Sequence, residues 1–349
     1  MTRRDFVPDA GGTRADTRRM RVAGLSLLIV SVLALVGCRS PRAIDPVVRS
    51  LAPQDVVAAQ DPGLQRPAPV RLTTSATWQR YDGSLDGTPV EREALRRCLC
   101  LQRARRKANL FTGAVVVGMA GYGAAVFGAG SSSFHTVDDG WFGEFTGSGG
   151  ADKLGHALSA HIQTAIYSAV FRHWGLPRKE AALRGAVAAF SAQLALEVAD
   201  GFSADHGFSI NDVIANTAGC VFGYFHETSP GFARLFDFRW EYWPSEQVRS
   251  GEDSEITTDY EGSNYVLATN LGAIWSRRAN ALDFVDFQVG YGVRYYNDRS
   301  RRSERRPFVG FGINLANVCQ RLGLRTLGRF FEYYQPPGIH LRWDTNLND

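Results

Sequence analysis

Val285-Asp286-Phe287-Gln288-Val289-Gly290-Tyr291-Gly292-Val293-Arg294-Tyr295 alternates without a break: each odd position is apolar, and polar, charged or glycine residues fill the even ones. A period of two predicts a half-buried β-strand, because successive side chains point to opposite faces of a sheet. Val309, Phe311, Ile313 and Leu315 repeat the pattern, and Tyr265, Leu267, Thr269 and Leu271 carry it more weakly. Residues 260–345 are therefore expected to form a small antiparallel sheet whose apolar face must be covered by helices, lipid or a partner. The connection from Asn297 to Arg306 holds five arginines and reads as a solvated charged turn, or else as a headgroup contact.

N-terminal to this region the period changes from strand to helix. Three segments rich in Ala and other apolar residues are predicted as helices: 151–173, ended by Gly175 and Pro177; 178–200, ended by Gly201; and 210–227, ended by Pro230. Ser209 followed by Asp212 is an N-cap pair for the last. The segments are apolar nearly all round, which predicts burial on most faces. Before them, Ser131 to Gly150 is a Ser- and Gly-rich loop, and residues 90–107 form a basic helical pattern that runs into the Gly- and Ala-rich stretch Ala108 to Gly130. At ~20 residues that stretch is long enough to cross a bilayer; burial against protein and shallow lipid contact are the other readings. The expected architecture is α+β: a bundle of four or five helices over 90–230, followed by the sheet.

At the N-terminus, Arg18, Arg19 and Arg21 precede roughly fifteen apolar residues that end in Leu35-Val36-Gly37-Cys38. This arrangement resembles the bacterial lipobox, in which the cysteine is acylated and becomes the new N-terminus. Residues 1–37 are thus expected to be a lipoprotein signal peptide, and Cys38 the site of lipidation. Residues 38–80 carry Pro41, Pro46, Pro53, Pro62, Pro67 and Pro69 and read as an extended tether. Arg39 is not the Asp that retains many lipoproteins on the inner membrane, which directs the expectation to the outer membrane, facing the periplasm.

Composition narrows the classes. Of 349 residues, 44% are hydrophobic and 21% charged, the balance of a folded protein. The net charge of +4 falls to +1 without residues 1–37, leaving 33 cations against 32 anions, so no basic excess points to nucleic acid. Five cysteines with no CxxC pair exclude a disulfide scaffold and a zinc ribbon. The expected partners are membrane lipid, through acylated Cys38, or another envelope protein. No cofactor can be named from the sequence.

Each of the three apolar helices carries one polar stripe. Asp152 and His156 share a face with Gln163; Gln193, Glu197 and Asp200 fall at i, i+4 and i+7; Asp212 and Asn216 are four apart, and Gly219 and Gly223 continue their side. Ionised groups are costly to bury alone, so the stripes are expected to face one another. Three uses compete. His156 with Asp152, Glu197, Asp200 or Asp212 could ligate zinc, manganese or iron, although there is no HExxH. His156 could act as a base, oriented by Asp152 or by Asp212 with Asn216, while Lys153 binds phosphate, although no GxSxG or SxxK supplies a nucleophile. Or the cluster is a hydrogen-bonded network that fixes helix register.

The motifs Asp152-Lys153-Leu154-Gly155-His156, Glu197-Val198-Ala199-Asp200-Gly201-Phe202-Ser203, Gly207-Phe208-Ser209-Ile210-Asn211-Asp212 and Ala215-Asn216-Thr217-Ala218-Gly219 resemble the uncharacterised bacterial lipoprotein family of YfiM. Its longer members are also similar at Phe238-Arg239-Trp240-Glu241-Tyr242-Trp243, Tyr260-Glu261-Gly262-Ser263-Asn264-Tyr265 and Val289-Gly290-Tyr291-Gly292. A fainter likeness links the helical motifs to VanZ-like membrane proteins, from which this chain departs in having Asp200 where Gln is usual. The resemblance implies a shared helical core and no established activity. Two functions follow as expectations: a structural or accessory envelope lipoprotein, and an enzyme acting on a lipid headgroup or lipid-linked glycan.

Overall fold

A computed structural model describes residues 89–146, 148–251, 256–275, 280–296 and 303–348. The leader, Cys38 and the proline-rich stretch to residue 80 lie outside the described residues, as do residues 297–302 of the arginine-rich connection. The long helix α1 (Pro89–Val126) belongs to two compact units, divided after Arg103. In the first unit it shows an exposed i, i+4 pair, Arg97 Nε donating to Glu93 Oε1 at 2.9 Å, and the exposed thiols of Cys98 and Cys100.

In the second unit the remainder of α1 packs beside α2 (Ala151–His173), α3 (Arg178–Asp200) and α4 (Ile210–Thr228). The predicted glycine and proline stops end α2 and α3, and Ser209 caps α4 by accepting from the Asp212 amide at 3.2 Å. What lets the three central helices approach is the size of their contact residues. A Cβ on Gly219 would stand 1.9 Å from the Ala157 carbonyl oxygen, one on Gly185 would stand 2.3 Å from Ser168 Oγ, and one on Gly223 would stand 2.8 Å from Thr164. Ala160, Ala189 and Cys220 fill the space between these contacts. Helix α1 docks through Phe111, set edge-on to Tyr167, Phe171 and Trp174, while Leu110 and Val117 stay exposed. By length and composition alone, Leu95–Val126 and α3 are apolar enough to cross a membrane.

A short helix α5 (Pro230–Leu235) leads into the sheet, whose strands are β3 (Phe236–Tyr242), β4 (Ser263–Asn270), β5 (Val285–Arg294), β6 (Glu304–Ile313), β7 (Tyr334–Gln335) and β8 (His340–Asp344), with the short helix α6 (Glu246–Ser250) between β3 and β4. The earlier strands β1 (Thr136–Val137) and β2 (Phe208–Ser209) form a separate two-residue parallel bridge. The sheet order is β7-β3-β4-β5-β6-β8. The class is α+β as expected, but the sheet is mixed, not antiparallel, because β7 runs parallel to β3. Between β6 and β7 the chain forms α8 (Leu315–Arg321) and α9 (Arg325–Phe331); because β3 to β6 alternate in direction, a β7 that runs opposite to β6 runs parallel to β3. Leu271 opens a one-turn helix, α7 (Leu271–Trp275), so it is not in the strand, while Arg305 and Arg306 belong to β6 and not to the charged connection.

The alternation of β5 is real, but much of the face it buries is the polar one. Asp286 and Gln288 are fully buried, whereas Val289 is 46% exposed. The cause is curvature. Gln288 on β5 donates to Gln335 on β7 at 2.8 Å, although β4 and β3 lie between those strands in the sheet, and Arg342 on β8 reaches Glu241 on β3 at 3.6 Å. The sheet therefore curls on itself, and its concave side encloses Arg239, Asp237, Asp286, Asn264, Glu241 and Gln335. Arg239 donates to Asp286 at 2.7 Å and to Asp237; Asn264 donates to Glu241 at 2.7 Å. Gly290 leaves room for the buried Phe308 ring. On the convex side, α2 covers Tyr265 and Val293 through Ala151, Leu154 and Leu158, and Phe222 of α4 meets Phe238.

Gly219→Ala is expected to lower stability by about 1–3 kcal/mol, because the added methyl meets backbone that cannot swing away. Gly113→Ala, with nothing within 4 Å of its Cβ, should be neutral or stabilising. Thermal unfolding of the two variants tests the comparison.

Candidate functional site

The polar stripes converge at the end of the bundle where α2 and α4 begin and α3 ends. At its centre is Lys153, whose side chain is 2% exposed. Its ammonium donates to Asp139, to Asp152 Oδ2 at 2.8 Å and to Asp212 Oδ1 at 2.7 Å, one carboxylate each from a loop, α2 and α4. These three hydrogen bonds match the three protons of the ammonium group. Burial alone would depress the Lys153 pKa, but the three carboxylates hold it above the usual lysine value, so the group stays charged. For Asp139 burial is likewise outweighed, by Lys153 and by the Ser209 hydroxyl that donates to it at 2.8 Å, and its pKa is lowered. Ser148 Oγ donates to Asp152 at 2.6 Å.

Beside this clasp, His156 lies one helical turn beyond Asp152, with Nδ1 3.6 Å from Glu197 Oε1 and Nε2 3.7 Å from Asp212 Oδ1. Both distances exceed hydrogen-bond length. The His156 side chain is 22% exposed, against 3% for Glu197. Burial, then the charges of Asp212 and Asp200, push the Glu197 carboxyl up to about 9; burial and Asp212 push Asp200 up to about 7. Burial also raises Asp212, against the opposing pull of His156 and Lys153. Asn216 is 1% exposed with neither amide atom hydrogen-bonded, and Asp200 Oδ1 and Gln163 Oε1 are buried without a partner.

Among the described residues, two groups of ligand atoms lie close enough to hold one cation, within 4.8 Å of one another: His156, Glu197 and Asp212, and Asp139, Asp152 and Asp212. The second surrounds the Lys153 ammonium and is already compensated. The first has one imidazole and two carboxylates, a donor set that suits zinc, manganese or iron. Asp152, a ligand candidate on sequence, turns to Lys153, and Asp212 takes its place beside His156 and Glu197. The three donors of Lys153, the residue expected to bind phosphate, are taken by carboxylates. Asp139 was not among the expected site residues. The Asp138-Asp139 pair in an otherwise Ser- and Gly-rich loop was the available signal.

A second polar cluster joins the bundle to the sheet. His226 Nε2 stands 3.5 Å from Asp237 Oδ1; burial would lower the His226 pKa, but Asp237 holds it above the usual value. The neighbouring His161 is fully buried with both ring nitrogens unpartnered, and burial followed by the nearby His226 pushes its pKa well down.

The fold and site define a helical bundle closed at one end by a buried lysine clasp and joined to a curled sheet. Residues 138–228, from the Asp138-Asp139 loop to the end of α4, match the model of a family described as Predicted periplasmic lipoprotein (DUF2279). The matched stretch contains every clasp residue and the His156, Glu197 and Asp212 group, and it supports a location in the cell envelope. Neither the curated proteins nor the solved structures give a match.

Lys153→Met would leave three carboxylates facing one another with no cation, and is expected to cost about 3–5 kcal/mol, the range for breaking a buried ion pair from one side. Chemical denaturation at neutral pH measures it. Glu197 gives a pH signature. Its folded-state value of about 9 lies above the ordinary 4.5, so its contribution to stability is complete below pH 4.5 and is lost as pH rises toward 9. Asp212, Asp200, Lys153 and His156 are the charged or titratable groups that act on it or lie beside it. Glu197→Gln removes the dependence, so its melting temperature should gain on the wild type between pH 5 and pH 9.

Proposed function

We propose that the chain is an envelope lipoprotein with a structural or accessory role, held at the periplasmic face of the outer membrane by acylated Cys38, and that its polar cluster is architectural. The chief support is the Lys153 clasp: a buried cation whose donors are all taken by carboxylates from three separate segments organises helices and offers nothing to a substrate. The resemblance of the same helical motifs to the YfiM lipoproteins points the same way, while the VanZ likeness adds no activity. On this reading His156→Ala and Asp212→Ala lose stability and lose complementation of a deletion strain in proportion. An unchanged melting temperature together with lost complementation for His156→Ala would refute it.

The anchor has its own test. Diacylation needs the Cys38 thiol, so Cys38→Ser should leave the leader uncleaved, whereas the wild type should begin at Cys38 and stay with membranes through a 1 M salt wash, at which electrostatic attraction reaches only about 3 Å. A soluble wild type, or an intact N-terminus upstream of Cys38, would defeat this assignment.

A second reading, an enzyme acting on a lipid headgroup or lipid-linked glycan, is favoured by the looseness of the group beside the clasp. His156 is the most exposed member of its trio, its contacts to Glu197 and Asp212 are too long for hydrogen bonds, and Asn216 has no partner. In that reading Glu197, neutral at pH 7, is a proton donor and His156 the base or a metal ligand. Elemental analysis of the purified protein, with and without His156→Ala, separates the metal form from the metal-free form: one equivalent lost with the histidine supports a metal centre.

A further inference from the structure

We infer that the uncovered part of the sheet's convex face dips into one leaflet of the membrane. This goes beyond the acyl anchor, though it rests on the lipoprotein reading. The helices cover this face toward β3, the Tyr265 end of β4 and the Val293 end of β5. On β5, β6 and β8, the cross-strand row Val289, Val309 and Trp343 is exposed, as are Phe311 and Leu341 of the next row beside a half-buried Phe287, with Trp343 63% and Leu341 74% exposed. No charged residue interrupts those outward positions from Val285 to Val289, from Val309 to Ile313, or from Leu341 to Trp343. In the uncovered stretch the polar residues Asp286, Gln288, His340 and Arg342 are on the concave side, so there the sheet is apolar outside and polar inside, the arrangement of a strand that meets lipid and not water.

The two ends of the strands differ in a way that selects lipid over a protein partner. At one end Arg294, Glu304, Arg306 and Asp344 form a charged rim, with Arg306 3.3 Å from Glu304. At the other end α8 and α9 follow β6, and there exposed Leu322, Leu324 and Leu327 interleave with exposed Arg321, Arg325 and Arg329. Leucine to enter the acyl region and arginine for anionic phosphate is the composition of an interfacial surface. The four steps of strand from Val285 to Val289 rise about 14 Å, close to half of the ~30 Å hydrocarbon core, so the band fits one leaflet and does not cross. Cys38 is separated from Pro89 by fifty residues, and acylation there keeps the face within a chain's length of the bilayer, where lipid is the partner at high local concentration.

The test uses the full-length acylated protein in vesicles of phosphatidylethanolamine and phosphatidylglycerol, with and without bromine on the acyl chains. Brominated chains should quench part of the tryptophan emission, and the quenched part should shrink in Trp343→Phe, a conservative change at an exposed site. Val309→Asp should still float with the vesicles through its acyl chains while losing the Trp343 share of the quenching. Flotation with identical quenching in wild type and Trp343→Phe would overturn the inference and leave the anchor standing. Failure of the wild type to float would overturn both.

Discussion

A lysine ammonium taken out of water costs several kcal/mol unless its charge and protons are met, and in this protein the whole end of the helical bundle is arranged to meet those of Lys153. Asp152 comes from the same turn of α2, Asp212 from the first turn of α4, and Asp139 from the loop before α2. Ser209 ties the set together: its hydroxyl donates to Asp139 and accepts from the Asp212 amide, so the residue that starts α4 also fixes the loop. Glu197, at the end of α3, abuts this group through His156 and its acceptance of the Ser209 amide. The glycine contacts set how closely the helices lie, and the clasp sets their register along the axis.

The sheet repeats the same solution with different chemistry. Its concave side is lined largely by polar side chains and holds Arg239 between Asp237 and Asp286, with Asn314 donating to Asp286 at 2.9 Å. Helix α4 connects the two polar interiors, carrying Asp212 into the clasp in its first turn and His226 toward Asp237 in its last. A helix that is apolar over most of its length thus has charged contacts at both ends, Asp212 with Lys153 in its first turn and, in its last, His226 with Asp237 and Glu227 with Arg172.

What could be read from the sequence follows from the range of the forces involved. Helix positions, the Ser209 cap and the switch to strands are set by neighbours within a few residues, and they stand in the structure as read. Convergence of Asp152, His156, Glu197 and Asp212 was legible from periodicity, because a polar stripe on an apolar helix has few places to go. Which face of β5 is enclosed was not legible. Alternation is symmetric, and the inward turn of Gln288 depends on Gln335, 47 residues later, and on a curvature that no single strand encodes. Asp139 escaped for a similar reason: a loop has no period, so nothing local marks one of its carboxylates as the partner of a buried cation.

The closure of the sheet also orders events in time. Strands β3 to β6 precede β7 and β8 in the chain, yet Glu241 and Gln288 find Gln335 and His340 only when those last strands arrive. A polypeptide emerging from its N-terminal end therefore has no means of enclosing the concave side until nearly all of it has been made.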